Sequence, residues 1–225
     1  MKRGPRTVVV IGPFRSGTSL ASRILSILGA DFGPPDTMLK ADRFNPDGYF
    51  QHARVRIANN RLIRSVGSTV AWPEHPQVLA TEGDLPPLQR VGLAWTGATS
   101  LSGIKDPRFS ATLLAWIAAG VLDPSRLRVV RMERQLDDAA QDLYGMPELA
   151  RQMAEHSLES ARATLERYAG FAAWHAGNLG VPHLALRYED LLADPRMNIA
   201  RLADFIGMGS QRRIEAARRS IRLPQ

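Results

Sequence analysis

The chain has 225 residues, 44% hydrophobic and 23% charged, with 18 glycines and 15 prolines. These proportions exclude collagen-like, coiled-coil and disordered classes, and the length predicts one domain over residues 1–225. The lack of cysteine removes disulfides, thiolate metal sites, iron–sulfur clusters and cysteine nucleophiles, while a net charge of +7, carried by arginine except at Lys2, Lys40 and Lys105, suits an anionic partner without choosing one.

In chain order, residues 7–12 (TVVVIG) are a fully apolar run, predicted as the first strand of a parallel sheet. Residues 19–29 follow with Leu20, Ile24, Ile27 and Leu28 at helical spacing and Gly29 as the stop. Residues 31–48 read as a surface excursion with a turn at Asn45-Pro46-Asp47-Gly48. Residues 49–66 read as a helix. Residues 67–103 carry Pro73, Pro76, Pro86 and Pro87 and read as irregular with one short helix. Further strands are predicted at 101–105, 127–131 and 183–187, each followed by a helical pattern, and a long helical region at 147–178 has Leu158, Ala161, Leu165, Tyr168 and Ala172 on one stripe. Strands alternating with helices predict an α/β fold: three layers, with a central parallel sheet flanked by helices. No apolar run reaches the roughly 18 to 20 residues of a membrane span. The apolar stretch at 7–11 is too short for a signal peptide, so a cytoplasmic location is expected.

The segment Gly12-Pro13-Phe14-Arg15-Ser16-Gly17-Thr18-Ser19 has the glycine spacing of a P-loop, with Thr18 where that loop carries lysine. A strand turning through Gly17 into a helix aims backbone N–H groups and the helix dipole at an anion, beside the hydroxyls of Ser16, Thr18 and Ser19. The cation has moved to Arg15, whose fork of donors suits an oxyanion. An ordinary strand–helix turn uses the same residue types, but the preceding strand and following amphipathic helix are the context an anion cradle requires. The later strands end in Lys105, Arg131 and Arg187 rather than in the aspartate of a Mg²⁺-binding nucleotide hydrolase. Such charges at strand C-termini are expected to converge on the crevice where α/β proteins bind ligands.

Residues 12–20 resemble the 5′-phosphosulfate loop of PAPS-dependent sulfotransferases, in particular the bacterial and tyrosylprotein-type branch of these P-loop-like proteins. Asn45-Pro46-Asp47-Gly48-Tyr49-Phe50 resembles the family's N-P-x-G-Y segment, and Lys105-Asp106-Pro107-Arg108 its K-D-P-R strand end. Val129-Val130-Arg131 is similar to the strand that carries the 3′-phosphate arginine, and Arg187-Tyr188-Glu189-Asp190-Leu191-Leu192 to the R-Y-E-D-L motif. Five short motifs in the right order span residues 7 to about 206.

The resemblance implies transfer of a sulfuryl group from 3′-phosphoadenosine 5′-phosphosulfate (PAPS) to a hydroxyl or amine, leaving PAP. It implies that Arg15, Ser16, Gly17, Thr18 and Ser19 hold the phosphosulfate, Arg131 the 3′-phosphate and Tyr188 the adenine region, with Arg15 and Lys105 stabilising developing charge and no metal taking part. Two positions depart from the pattern. The family serine about eight residues after its arginine falls here on Ala139, leaving Arg134 or the basic tail 218–222 as substitutes, or a relaxed demand for the 3′-phosphate. Gln51 stands where a glutamate base is often found, which makes His52 the leading base, with Asp36, Asp47 and Asp106 as alternatives. A P-loop kinase or nucleotide phosphotransferase and a catalytically inactive PAP-binding protein are the competing readings.

The remaining features carry less. The five histidines form no pair at metal-ligand spacing, and no nucleic-acid-binding module accompanies the basic charge. Trp116 and Trp174 are expected in the core, and residues 211–222 as a solvated basic helix. The acceptor, whether small molecule, glycan or peptide, is expected to meet loops within residues 31–100; the sequence leaves its identity and the oligomeric state open.

Overall fold

The computed structural model describes residues 6–96, 98–146, 149, 151–153 and 155–221. Four strands form one all-parallel sheet: β1 (Arg6–Ile11), β2 (Leu101–Lys105), β3 (Leu127–Glu133) and β4 (His183–Arg187), in the order β2-β1-β3-β4. β1 is central and buried on both faces, as its unbroken apolar run requires. Because side chains alternate along a strand, Val9 and Ile11 enter one core and Val8 and Val10 the other.

The first core lies under α2 (Ala53–Ser65), α5 (Phe109–Ala118), α6 (Leu136–Tyr144) and α7 (Leu158–Asn178). The second lies under α1 (Thr18–Leu28), α9 (Pro195–Ile206) and α10 (Gln211–Ser220). α3 (Pro76–Thr81) and α4 (Pro86–Gln89) are short, and α8 (Tyr188–Ala193) follows β4 directly. α5 is apolar nearly all round and correspondingly buried. Its polar exceptions are satisfied: Thr112 Oγ1 and Trp116 Nε1 both donate to the side-chain Oδ1 of Asn59 on α2, at 2.8 and 2.7 Å.

All four predicted strands are present, β1 and β3 with shifted ends. The helix expected over 49–66 starts at Ala53, because Phe50 adopts φ 51° and breaks the run before it. The 67–103 stretch holds two short helices rather than one, each with proline at its first turn. Of the 147–178 region, residues 158–178 are helical, while Pro147 lies outside the described residues. Leu158 of the proposed stripe is about half exposed, and Trp174 is only partly buried, edge-on to His75, whereas Trp116 is in the core. Arg222 of the basic tail also lies outside the described residues. Among those residues no helix is long and apolar enough to cross a membrane.

Candidate functional site

The C-terminal end of β1 opens into the loop 12–17, pinned by short contacts. Gly12 N–H donates to Ser110 Oγ at 3.0 Å, fixing the strand end to α5. A Cβ on Gly12 would fall 2.6 Å from the Met132 carbonyl, so only glycine fits there. Ser16 Oγ, almost wholly buried, donates to the Pro13 carbonyl at 2.7 Å and so closes the turn instead of facing the cleft. Arg15 adopts φ 63°, a left-handed conformation that costs a non-glycine residue roughly 1–2 kcal/mol. Gly17, at φ 86°, caps α1, and a Cβ there would meet the Tyr188 ring at 2.5 Å. The helical ladder of α1 begins with Ala21 N–H to the Gly17 carbonyl, which leaves the first-turn N–H groups without intrahelical acceptors.

Beside this loop lies a cleft of about 650 Å³. Arg15, Gly17, Thr18 and Ser19 line it, together with Lys105 and Tyr188. The cation missing from position 18 reaches the loop from the neighbouring strand: Lys105 Nζ donates to Ser19 Oγ at 3.2 Å and to the Tyr49 carbonyl at 3.1 Å. Lys105 is 2% exposed, and burial pulls its pKa down to about 7; the nearby Arg108 and Arg15 charges lower it further and Asp106 opposes them. Asn45 of the N-P-D-G-Y-F segment donates its amide to Ser19 Oγ at 2.9 Å, and Tyr49 hydroxyl donates to the Asp42 carboxylate.

The K-D-P-R residues form a buried polar node. Asp106 accepts from Gln51 Nε2 at 2.9 Å, from the Arg108 N–H at 2.8 Å and from Arg108 Nη1 at 3.2 Å. Gln51 is therefore a hydrogen-bond donor to a carboxylate, a role glutamate could fill only when protonated.

On the other flank, the structure departs from sequence expectation. Arg131 does not line the cleft: β3 continues to Glu133, and the Arg131 guanidinium pairs with that residue's carboxylate at 2.5 Å. Arg187 is about half exposed and lies near Glu189. The arginine that enters the cleft from the end of β3 is Arg134. Its Nη1 donates to the Arg15 carbonyl at 2.9 Å and to Asp142 Oδ2 at 2.7 Å, and its guanidinium lies 4.9 Å from the Tyr188 ring centroid. Arg15 Nη2 lies 3.5 Å from the same Asp142 oxygen. Counted from Arg134, the eighth residue is Asp142 rather than Ala139, which is buried in the core beneath α6. A register moved by three residues brings the arginine and its partner into contact.

His52 is also displaced from the cleft. It is 3% exposed and stacked on Trp95 at 3.9 Å. The Phe32 carbonyl accepts from its Nε2–H at 2.6 Å, and its Nδ1 lies 2.6 Å from Thr37 Oγ1. Burial lowers its pKa, partly offset by the Phe32 hydrogen bond. It lines a separate cavity of about 420 Å³ with Trp95, Thr37 and Val55. The alternative bases are elsewhere too: Asp36 is exposed, Asp47 pairs with Arg23 at 2.6 Å and Asp106 is fully buried. The carboxylates lining the cleft among the described residues are Asp42 and Asp142. From the 31–100 region, cleft contacts come from residues between 39 and 56. Arg134 and Asp142 were signalled in the sequence by an eight-residue spacing that works from either arginine; only the length of β3 decides between them.

No family model and no curated protein matches the chain. Solved structures do. Retinol dehydratase, in a complex with androsterone and inactive cofactor PAP, aligns at a TM-score of 0.51 and 17% identity. The alignment covers 97% of this chain and 65% of that one, so the chain spans about two-thirds of that protein's length. The sulfotransferase domain of the Synechococcus PCC 7002 olefin synthase aligns at 0.51 and 16% identity, over 100% of this chain and 92% of that one. The sulfotransferase domain from the curacin biosynthetic pathway gives 0.51 and 13%, over 94% and 77%. The chain has the sulfotransferase fold.

Proposed function

We propose that this protein is a PAPS-dependent sulfotransferase acting on a hydroxyl or amine acceptor. The observation that carries the reading is Lys105 Nζ on Ser19 Oγ: a lysine from the neighbouring strand supplies the charge that the loop itself lacks. The donor set fits an adenosine phosphosulfate. The α1 N-terminus with Arg15, Thr18 and Ser19 suits a doubly charged anion, Tyr188 offers a flat surface for a base, and the cleft has the volume of ordinary nucleotide sites.

PAPS supplies an activated sulfuryl group and departs as PAP. Sheet order gives the cleft a direction, since β2 and β3 flank β1: Lys105 stands on one side of the loop, and Arg134, Asp142 and Tyr188 on the other. Lys105 and Arg15 stabilise negative charge at the sulfuryl end, a role worth about 3 to 4 kcal/mol per donor. Arg134 takes the place expected of Arg131, and Tyr188 holds the adenine side. Asp142 is tied to two arginines, and His52 uses both ring nitrogens inside the protein. Asp42 is held likewise: it accepts from the Tyr49 hydroxyl and from the N–H groups of Phe44 and Asn45, bonds that outweigh burial and lower its pKa. No acidic side chain lining the cleft among the described residues is therefore uncommitted, and the base is left unassigned. Androsterone is bound in the retinol dehydratase complex, which supports a small-molecule acceptor.

Calorimetric titration with PAP, and separately with ATP plus Mg²⁺, tests the reading. PAP should bind far more tightly than Mg-ATP. Arg15→Ala should weaken PAP by about tenfold or more, as loss of a charge-assisted contact does, while Arg131→Ala stays within about threefold of wild type. A preference for Mg-ATP would sink the proposal in favour of a phosphotransferase. Tight PAP binding without turnover on any acceptor would identify an inactive PAP-binding protein.

A further inference from the structure

The side of the cleft away from Lys105 is built around a carboxylate. Asp142, on α6, places one oxygen, Oδ2, against both Arg134 and Arg15, at 2.7 and 3.5 Å. The Arg134 side chain is fixed from three directions: by this carboxylate, by the Arg15 carbonyl and by the face of Tyr188. Both arginines are largely covered, with side chains 25% and 18% exposed, so their charges are poorly screened by water. An internal anion thus already neutralises part of the positive charge that a nucleotide would meet here.

Resting on the donor reading above, we propose that Asp142 sets how much this site values a phosphate on the donor's ribose, and that it holds this value low. A nucleoside lying between the loop and Tyr188 brings its ribose past Arg134 and Asp142. A ribose 3′-phosphate there must displace the carboxylate from Arg134 or sit beside it, and juxtaposing two anions is costly where solvent is partly excluded. A ribose hydroxyl meets no such conflict, because a carboxylate accepts a hydrogen bond from it, as acidic residues do for ribose in dinucleotide-binding proteins. The site therefore accepts 3′-phosphorylated adenosine donors and also those with a free 3′-hydroxyl, where a neutral hydroxyl side chain at position 142 would favour the former.

The test compares PAP with 5′-AMP, which differ only in the 3′-phosphate, by calorimetric titration at one pH and one salt concentration. Wild type, Asp142→Asn and Asp142→Ser are measured, with thermal melts to establish that each is folded. The two neutral substitutions fail differently, since asparagine keeps a hydrogen-bond acceptor and serine removes the bulk. The expected result is a PAP-to-AMP affinity ratio within about threefold in wild type, rising about tenfold or more in both variants because PAP binding improves while AMP binding does not. An unchanged ratio in both variants, with PAP and AMP still bound, would overturn this inference and leave the donor reading standing. Failure of wild type to bind either nucleotide would overturn the donor reading and the inference with it.

Discussion

Replacing Lys105 with methionine keeps the length of the side chain and removes its charge, and the consequence depends on pH in a calculable way. Lys105 is buried, and its pKa is drawn down to about 7, chiefly by desolvation. At pH 7 roughly half of the ligand-free protein carries the charge, and by pH 9 about one part in a hundred does. An anion held beside Nζ favours the protonated form, so binding above pH 7 takes up a proton. If PAP is held mainly by the protonated form, wild-type affinity falls about tenfold per unit above pH 7, reaching roughly a hundredfold at pH 9. Lys105→Met should bind PAP more weakly at pH 6 and show none of this decline; its turnover should be lower by about two to three orders of magnitude. Titrations at pH 6, 7, 8 and 9, each in two buffers of different ionisation enthalpy, read both quantities, with uptake approaching one proton at pH 8 in wild type only. The same shift has a sign in stability. Between about 7 and 10.5 the unfolded chain holds the Lys105 proton and the folded chain does not, so this residue makes stability rise with pH across that window. Below pH 7 the cost of burying the cation is felt in full. Superimposable pH profiles for wild type and Lys105→Met would refute the assignment of a titrating lysine to the anion site.

Two further outcomes follow from groups buried next to the cleft. Asp106→Ala leaves the Arg108 guanidinium, 5% exposed, without its carboxylate and Gln51 without its acceptor; breaking a buried pair this way costs about 3–5 kcal/mol. In a chain of this length that lowers the melting temperature by about 10 °C, and unchanged melting in a calorimetric scan would show that the node contributes nothing. His52→Ala removes the stack on Trp95 and two hydrogen bonds, the one to Phe32 buried, so melting should fall while the pH profile of turnover from 6 to 9 keeps its shape. Burial holds the His52 pKa below 6.5, so the unfolded chain binds that proton first on acidification and stability drops below pH 6.5; the substitution removes that slope. A folded His52→Ala protein with turnover reduced a hundredfold would restore His52 as the base.

The layers of the fold were legible because burial and periodicity were strong in the right places. β1 has no polar residue between Val8 and Ile11, and such a run is stable only between two cores. The loop was legible from Gly12 and Gly17, whose conformations and close neighbours no other residue satisfies. Prolines misled at 76 and 86: they read as breakers, yet in the first turn of a helix they sit where no intrahelical N–H bond is lost. The displaced site residues share a cause. A side chain's face depends on where its strand ends or its loop bends, and those depend on distant partners. Arg131 lies on the same strand face as Val129 and Glu133, and β3 runs two residues beyond it, so the chain releases Arg134 into the cleft instead. Phe50, with its left-handed backbone, lets Gln51 turn to Asp106 while His52 turns to Phe32 and Trp95. Trp95 lies 43 residues from His52 in the chain, and no local pattern announces that contact.

Moving the cation from the loop to the adjacent strand has a physical consequence of its own. A lysine within a P-loop lies at the mouth of the nucleotide site, whereas Lys105 ends a strand buried along its length and meets the loop from beneath. There it is held by the Ser19 hydroxyl and the Tyr49 carbonyl, and the nearest carboxylate of its own motif, Asp106, is already shared by Arg108 and Gln51. Two neutral acceptors and a shared anion do not offset complete burial, which is why its proton is held so weakly. The positive charge at the Lys105 end of the cleft is thus weakly held, while Asp142 neutralises charge at the opposite end. Lys105 and Asp142 together keep the cleft from holding a large uncompensated positive charge in the ligand-free protein. On the proposed reading, an anion bound at the loop draws a proton onto Lys105 and so creates the positive charge that holds it.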